Sequence, residues 1–95
     1  MRLAVALFAL SLTACGLSVE DWNRLVAEAA ACEPGDTCVH ASPPQCACSA
    51  PVNQKRAQEI ADAAKQVNCG GMAVACAPVP GDPVCRNGRC VIEPR

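Results

Sequence analysis

The sequence predicts a small disulfide-rich α+β domain with two helices, short antiparallel strands and a C-terminal β-hairpin. Three observations carry this prediction. Two segments repeat apolar residues at helical spacing, an Asn-Gly pair lies between alternating residues near the C-terminus, and nine cysteines lie in a chain of 95 residues. Trp22 is the only aromatic residue after Phe8. A core of valine and alanine would be marginal in so small a domain without covalent cross-links.

The N-terminal segment has the anatomy of an export signal. A short positive region, Met1-Arg2, precedes an apolar run that ends at Leu12-Thr13-Ala14-Cys15. The run is too short for a spanning helix, which needs roughly 20 residues to cross about 30 Å of hydrocarbon. The Leu-Thr-Ala-Cys pattern resembles the lipobox of bacterial lipoproteins. That resemblance implies cleavage between Ala14 and Cys15, a diacylglyceryl thioether on the Cys15 thiol, and acylation of its freed amine.

The same resemblance sets the expected domain boundaries and location. It implies a lipoprotein signal peptide over residues 1–14, a lipidated N-terminus and short tether over 15–18, and a single cysteine-rich domain over 19–95. Gly16, in place of an aspartate, resembles the lipoproteins that Gram-negative bacteria send to the outer membrane. We therefore expect a protein of the bacterial cell envelope that is anchored to the membrane through its acyl chains.

The remaining cysteines form an even set. With Cys15 consumed by lipid, eight remain, and in an oxidising compartment they predict four disulfides. Eight cysteines allow 105 pairings, so the sequence leaves the connectivity open. The set consists of Cys32, Cys38, Cys46, Cys48, Cys69, Cys76, Cys85 and Cys90.

The first helix is predicted over residues 19–31. Ser18 and Asp21 have the spacing of a capping box in an acidic variant. Apolar residues recur along one helical face: Val19, Trp22, Leu25, Val26, Ala29 and Ala30. This face could pack on the domain or lie on the membrane close to the anchor. The acidic polar face favours packing on the domain, because membrane-surface helices are rich in Lys and Arg.

The middle of the chain predicts a strand, a second helix and another strand. The strand covers residues 37–41, where Thr and Val favour extended backbone. The second helix covers residues 54–67, with Asn53 as its N-cap. A strand over 72–77 and a stiff proline-rich loop over 78–83 follow it.

The strongest hairpin signal lies over residues 84–92. Asn87-Gly88 is the favoured pair for a type I′ turn, and it places Cys85 opposite Cys90. That register would allow a direct Cys85–Cys90 bridge, although each sulfur could equally reach another element. Residues 93–95 are expected to form a loose tail. The tip is a candidate binding loop that consists of Arg86, Asn87, Gly88 and Arg89.

Two motifs offer alternatives to a purely structural role. The basic hairpin tip could inhibit a trypsin-like protease, because a preorganised loop binds at low ordering cost. The simpler explanation is that Asn-Gly forms the turn and the arginines keep a strand edge soluble. Cys46 and Cys48, with His40, could hold copper or zinc or act in thiol redox chemistry. The simpler explanation is that these two sulfurs form disulfides with different partners.

Composition and motifs disfavour other functional classes. The net charge is −1, with no run of either sign, which disfavours nucleic-acid binding. A single histidine and the absence of a recognisable catalytic or phosphate-binding motif predict no enzyme and no small-molecule substrate. We expect no cofactor and no metal site, apart from the covalent lipid on Cys15. The predicted function is a non-enzymatic structural or partner-binding role, with no protein partner identified.

A second resemblance covers residues 32–91. This stretch is similar to the small eight-cysteine domains of myxobacterial-type lipoproteins, which are generally uncharacterised. The similarity rests on three motifs: Cys32-x5-Cys38-Val39, Cys46-x-Cys48 followed by Pro-Val-Asn and a helix, and Cys85-Arg-Asn-Gly-Arg-Cys90-Val. It implies no activity.

Overall fold

The computed structural model describes residues 16–78 and 80–94. These residues form two α-helices, two antiparallel strand pairs and four disulfides, which confirms the disulfide-rich α+β fold with its C-terminal hairpin. The elements are, in order, α1 (Val19–Ala29), β1 (Cys38–His40), β2 (Pro51–Asn53), a 3₁₀ turn (Gln54–Arg56), α2 (Ala57–Ala64), β3 (Gly81–Arg86) and β4 (Arg89–Pro94). Within this part of the chain no helix is long and apolar enough to cross a bilayer.

Helix α1 begins at the predicted capping box. The Asp21 N–H donates to the Ser18 hydroxyl, and the Ser18 N–H donates to the Asp21 carboxylate. The helix ends at Ala29, two residues before the predicted end at 31. It stops there because Ala31 forms an isolated antiparallel bridge with Arg89, which takes the backbone out of helical geometry.

The second helical segment is shorter than the predicted 54–67. Asn53 caps it as predicted, but the first turn is a 3₁₀ turn and α2 itself ends at Ala64. Val67 lies beyond the helix, where it forms an isolated parallel bridge with Leu17. The pairing with the N-terminal segment therefore replaces the last predicted turn.

Strands β1 and β2 form one antiparallel pair, in which Val39 lies opposite Val52. The strand predicted over 72–77 is wrong: residues 72–78 are exposed and contain no strand. A strand requires a ladder partner, and no other strand of the described chain lies alongside this segment. The N–H of Val74 donates instead to the carbonyl of Gln45, which lies in a loop.

The main core lies between the two α-helices and the β1–β2 pair. Its largest fully buried side chains are Trp22, Ile60 and Val52. The indole N–H of Trp22 donates to the Ile60 carbonyl at 3.2 Å, so the polar end of this buried ring is satisfied. The apolar face of α1 therefore packs on the domain, as favoured above. The buried members of the core are Trp22, Val26, Ala29, Ala41, Val52, Ile60 and Ala63.

Strands β3 and β4 form the predicted hairpin with Asn87-Gly88 as its turn. Both turn residues have positive φ, 54° and 83°, as a type I′ turn requires. The predicted register is confirmed, because Cys85 lies opposite Cys90 and Arg86 opposite Arg89.

The hairpin is longer than predicted. Gly81 pairs with Pro94 and Asp82 with Glu93, so part of the predicted loop 78–83 and of the predicted tail 93–95 belongs to the ladder. The prolines in these strands are tolerated because the hairpin is a two-stranded sheet, in which each strand has a free edge.

Candidate functional site

The segment that follows the predicted lipidation site is bonded to the chain just after α2. The Leu17 N–H donates to the Gln66 carbonyl at 3.2 Å, and the Asn68 N–H donates to the Leu17 carbonyl at 3.3 Å. Gly16 lies beside the Gln66 carbonyl, and its φ is +75°. The predicted cleavage and lipidation residues, Ala14 and Cys15, lie outside the described residues. The described chain thus starts on the body of the domain, one residue after Cys15.

Helix α1 separates this attachment from the hairpin tip. Its 11 residues extend over about 16 Å at 1.5 Å per residue. Gly16 precedes the N-terminal end of α1, whereas the chain that leaves the C-terminal end bonds to the hairpin. There the Cys90 N–H donates to the Ala30 carbonyl at 2.7 Å, and the Cys32 N–H donates to the Gly88 carbonyl at 3.0 Å. Gly16 and the hairpin tip therefore lie at opposite ends of α1.

The candidate binding loop at the hairpin tip is exposed, and both of its arginines have partners. The guanidinium of Arg86 forms an ion pair with Glu93 while its side chain keeps 59% of its exposure. The guanidinium of Arg89 donates to the Ala27 carbonyl at 3.5 Å. The carbonyl of Gly88 also has a partner, because it accepts the hydrogen bond from the Cys32 N–H. The structure thus presents a basic, solvent-facing tip whose backbone is a closed turn.

Two disulfides join the hairpin to the chain that follows α1. They are Cys32–Cys85 and Cys38–Cys90, with sequence separations of 53 and 52 residues. The direct Cys85–Cys90 bridge is therefore not formed, because each of these sulfurs is taken by a cysteine of another segment. Three of the sulfurs, those of Cys32, Cys38 and Cys90, lie within 4.8 Å of one another. All three are in disulfides, so none is a thiolate that could bind a metal.

The other two disulfides start from the Cys46-Ala47-Cys48 motif. Cys46 is bonded to Cys69 and Cys48 to Cys76, which agrees with the simpler interpretation that these sulfurs have different partners. His40 is exposed on β1. The motif thus offers no free thiolates for copper or zinc while its disulfides are intact.

A polar junction that we did not predict joins the turn after α1 to the start of the second helix. The Asp36 carboxylate accepts hydrogen bonds from the Glu33 N–H at 2.9 Å and the Asn53 amide at 3.0 Å, and it pairs with the Lys55 ammonium at 3.0 Å. The Asn53 amide also donates to the Ala31 carbonyl at 3.2 Å. These contacts hold the chain beside the hairpin, so the junction is structural.

The junction changes the titration of its charged members. The hydrogen bond from the Glu33 N–H, together with Lys55 and Asn53, holds the pKa of Asp36 below its ordinary value of 3.8. The Asp36 carboxylate in turn raises the pKa of Lys55. From the sequence, Asn53 could be predicted only as a helix cap. Its partner Asp36 lies 17 residues away, and no local pattern connects the two residues.

Two uncharged segments are cross-linked into one surface, which we call the uncharged lobe and define as residues 41–50 and 66–78. Neither segment contains Asp, Glu, Lys, Arg or His. The bridges Cys46–Cys69 and Cys48–Cys76 hold them side by side. Met72 is 65% exposed and Val74 43%. Gln66, the first residue of the second segment, is the residue whose carbonyl accepts from Leu17.

No protein-family model, curated protein or solved structure matches this chain. Three surfaces are the candidates: the attachment at Gly16 and Leu17, the basic hairpin tip, and the uncharged lobe.

Proposed function

We propose that this protein is a lipid-anchored protein of the bacterial cell envelope whose disulfide-stapled domain has a non-enzymatic structural or partner-binding role. The observation that carries the proposal is the direct connection between the Leu12–Cys15 motif and the folded domain. Directly after the Leu12–Cys15 motif, Gly16 and Leu17 already lie against the body of the domain. Several acyl chains on Cys15, at about 0.8 kcal/mol per buried methylene, would make the attachment to the outer membrane effectively permanent.

The cysteine pairing supports both the compartment and the anchor. Disulfides persist in oxidising compartments and are rare in the cytosol, so four of them favour export. Eight of the nine cysteines are paired with one another. The ninth is Cys15, the cysteine that lipidation would consume.

The partner-binding part of the proposal is supported by the position of the hairpin tip. Arg86 and Arg89 lie at the end of α1 opposite Gly16. With Cys15 in the membrane, the basic tip would face away from the bilayer. This exposed pair of arginines suits an acidic protein surface that would replace the exposed Arg86–Glu93 ion pair and the long Arg89–Ala27 hydrogen bond, because planar guanidinium groups bind carboxylates with two parallel hydrogen bonds.

The test is the intact mass of the protein extracted from membranes, alkylated before and after reduction. We expect a mass that starts at Cys15 and includes lipid, with eight alkylations that occur only after reduction. A mass that still includes Met1 would contradict the lipoprotein proposal. Free thiols at Cys46 and Cys48 without reductant would instead favour the alternative of a metal or thiol-redox protein.

A second candidate function is protease inhibition by the hairpin tip. It is favoured by the disulfides at Cys85 and Cys90, which fix both strands next to Arg86 and Arg89. The bonded Gly88 carbonyl and the closed turn weigh against it, because a protease accepts an extended segment rather than a two-residue turn.

Titration of trypsin with the mature protein in detergent distinguishes this candidate from the main proposal. We expect trypsin activity to remain unchanged. Tight inhibition that is lost in either Arg86→Ala or Arg89→Ala would establish the inhibitor, and Arg24→Ala on α1 is the matched control for loss of an exposed arginine.

A further inference from the structure

We infer that the uncharged lobe rests on the surface of the lipid bilayer, so that the domain is held on the membrane in one orientation. The inference rests on the proposed lipid anchor and deepens it. The lobe then lies against the membrane itself, and the lipid-modified N-terminus places it there.

The distribution of charge along the chain is the first argument. Charged side chains lie in α1, in the turn after it, around α2 and in the hairpin, but residues 41–50 and 66–78 contain none. Charged groups cost far more to move into an apolar environment than the apolar and uncharged polar side chains that make up the lobe. The lobe is thus the part of the described surface that a bilayer would accept at least cost.

The position of the predicted anchor is the second argument. Cys15 is joined directly to Gly16, and consecutive Cα atoms are about 3.8 Å apart. Leu17 is bonded on one side to Gln66 and on the other to Asn68, which are both in the lobe. The acyl chains would therefore leave the protein beside the lobe, with no free chain between the lipid and the domain to let the lobe lift away.

The rigidity of the lobe is the third argument. Cys46–Cys69 and Cys48–Cys76 tie its two segments together, and the Val74 N–H donates to the Gln45 carbonyl at 3.0 Å. Met72 is nevertheless 65% exposed. A surface that is already ordered by covalent bonds loses little conformational freedom on contact, so its exposed apolar side chains can bind lipid efficiently.

Tryptophan quenching by brominated lipids tests this orientation. Met72→Trp places an indole in the lobe, and Val91→Trp places one at an exposed apolar position of β4, toward the hairpin tip. The lipid-bearing proteins are reconstituted into phosphatidylcholine vesicles with and without bromine in the acyl chains. The wild type, whose Trp22 is buried, provides the background signal.

We expect the brominated vesicles to reduce the emission of Met72→Trp and to leave that of Val91→Trp unchanged after subtraction of the background. Equal quenching of the two variants, or none in either, overturns the inference. A third result would also overturn it: the Met72→Trp emission is not quenched, but it shifts to the blue when more protein is added per vesicle. That result would mean that a second copy of the protein covers the lobe.

The mass of each purified variant distinguishes a wrong orientation from the absence of the lipid anchor. Lipid on Cys15 with no quenching of Met72→Trp overturns the orientation alone. A mass without lipid overturns the proposed function, and the inference with it. Eight alkylations that appear only after reduction show that each variant has kept its disulfides.

Discussion

The hairpin region and the uncharged lobe hold two disulfides each, but the bridges serve different purposes in the two places. We define the hairpin region as residues 30–38 and 81–94. Its bridges close long loops of 53 and 52 residues, and they reinforce a six-pair ladder and a cluster of buried cysteines. In the lobe, the bridges close shorter loops of 23 and 28 residues, which contain β2 and α2, and they join two segments that themselves form no helix or strand.

This difference shows two ways in which a small domain uses covalent cross-links. In the hairpin region, disulfides add stability to a shape that hydrogen bonds already define. In the lobe, they define the shape themselves, since residues 72–78 have no ladder partner among the described strands. The lobe should therefore lose its conformation without its bridges even where the rest of the domain remains folded.

Removal of a single disulfide, tested separately in each region, should have the largest effect on the free energy of unfolding. Chain entropy assigns about 4.1 kcal/mol to a 52-residue loop and about 3.6 kcal/mol to a 28-residue loop. Cys38 and Cys90 are also buried, so Cys38→Ala/Cys90→Ala leaves a cavity that exposed Cys48→Ala/Cys76→Ala does not. Guanidinium unfolding should show the lower free energy of unfolding for Cys38→Ala/Cys90→Ala.

Amide hydrogen exchange should separate the two variants further. In Cys48→Ala/Cys76→Ala we expect faster exchange confined to residues 70–78, with the core amides still protected. Fast exchange throughout that variant would contradict the view that the lobe is folded by its own bridges.

Substitution of one glycine in each region should reduce the stability by less than removal of a disulfide. The size of the loss should again differ between the two regions. A Cβ at Gly81 would overlap the carbonyl of Glu93 on the facing strand, so Gly81→Ala should force the hairpin apart at a cost of about 2–3 kcal/mol. Gly71 has a φ of +82° and open space around it, so Gly71→Ala should cost about 1 kcal/mol of backbone strain. Thermal unfolding of both variants measures the difference, and an equal loss would contradict it.

Of the two regions, only the hairpin region should respond to acid, and this loss of stability should be the smallest of the predicted effects. The uncharged lobe has no group that titrates, whereas Asp36 lies in the hairpin region and has a lowered pKa. Because its folded pKa lies below its unfolded value, the carboxylate stabilises the fold above the ordinary pKa of 3.8 and loses this effect as pH falls through the folded pKa.

The measurement is the free energy of unfolding of the wild type and of Asp36→Asn across this pH range. The wild type should be more stable near neutral pH, and the difference should shrink as the solution becomes more acidic. Glu20→Gln, which removes an exposed carboxylate on α1, is the control. A difference that persists unchanged at the acidic end would mean that Asp36 acts through packing rather than through its charge.

The elements that could be predicted from sequence are those whose signals are local. The Ser18–Asp21 capping box and the Asn87-Gly88 turn each involve residues within three positions of one another, and both are confirmed. The even set of eight cysteines also follows from counting, provided that Cys15 is set aside. The capping box and the turn depend on neighbouring residues, so they can be predicted without knowledge of the tertiary fold.

The elements that could not be predicted depend on distant partners. Met72–Ala77 has residues suited to a strand, but no strand lies alongside it, and so it remains an exposed loop. Cys85 and Cys90 face each other as predicted, yet each is bonded to a cysteine more than 50 residues away. The same holds for the uncharged lobe, which exists only because two distant segments are cross-linked.

The pairing pattern also has a consequence for biosynthesis. Every native disulfide skips at least one intervening cysteine, so a machinery that oxidises thiols in the order in which they leave a translocon would form four wrong bonds. Of these eight cysteines, Cys32 and Cys38 would emerge first, yet they must wait for Cys85 and Cys90 near the C-terminus. Correct pairing then requires exchange through mixed disulfides. In an exporting cell, the yield of folded protein should therefore follow the supply of a thiol–disulfide isomerase.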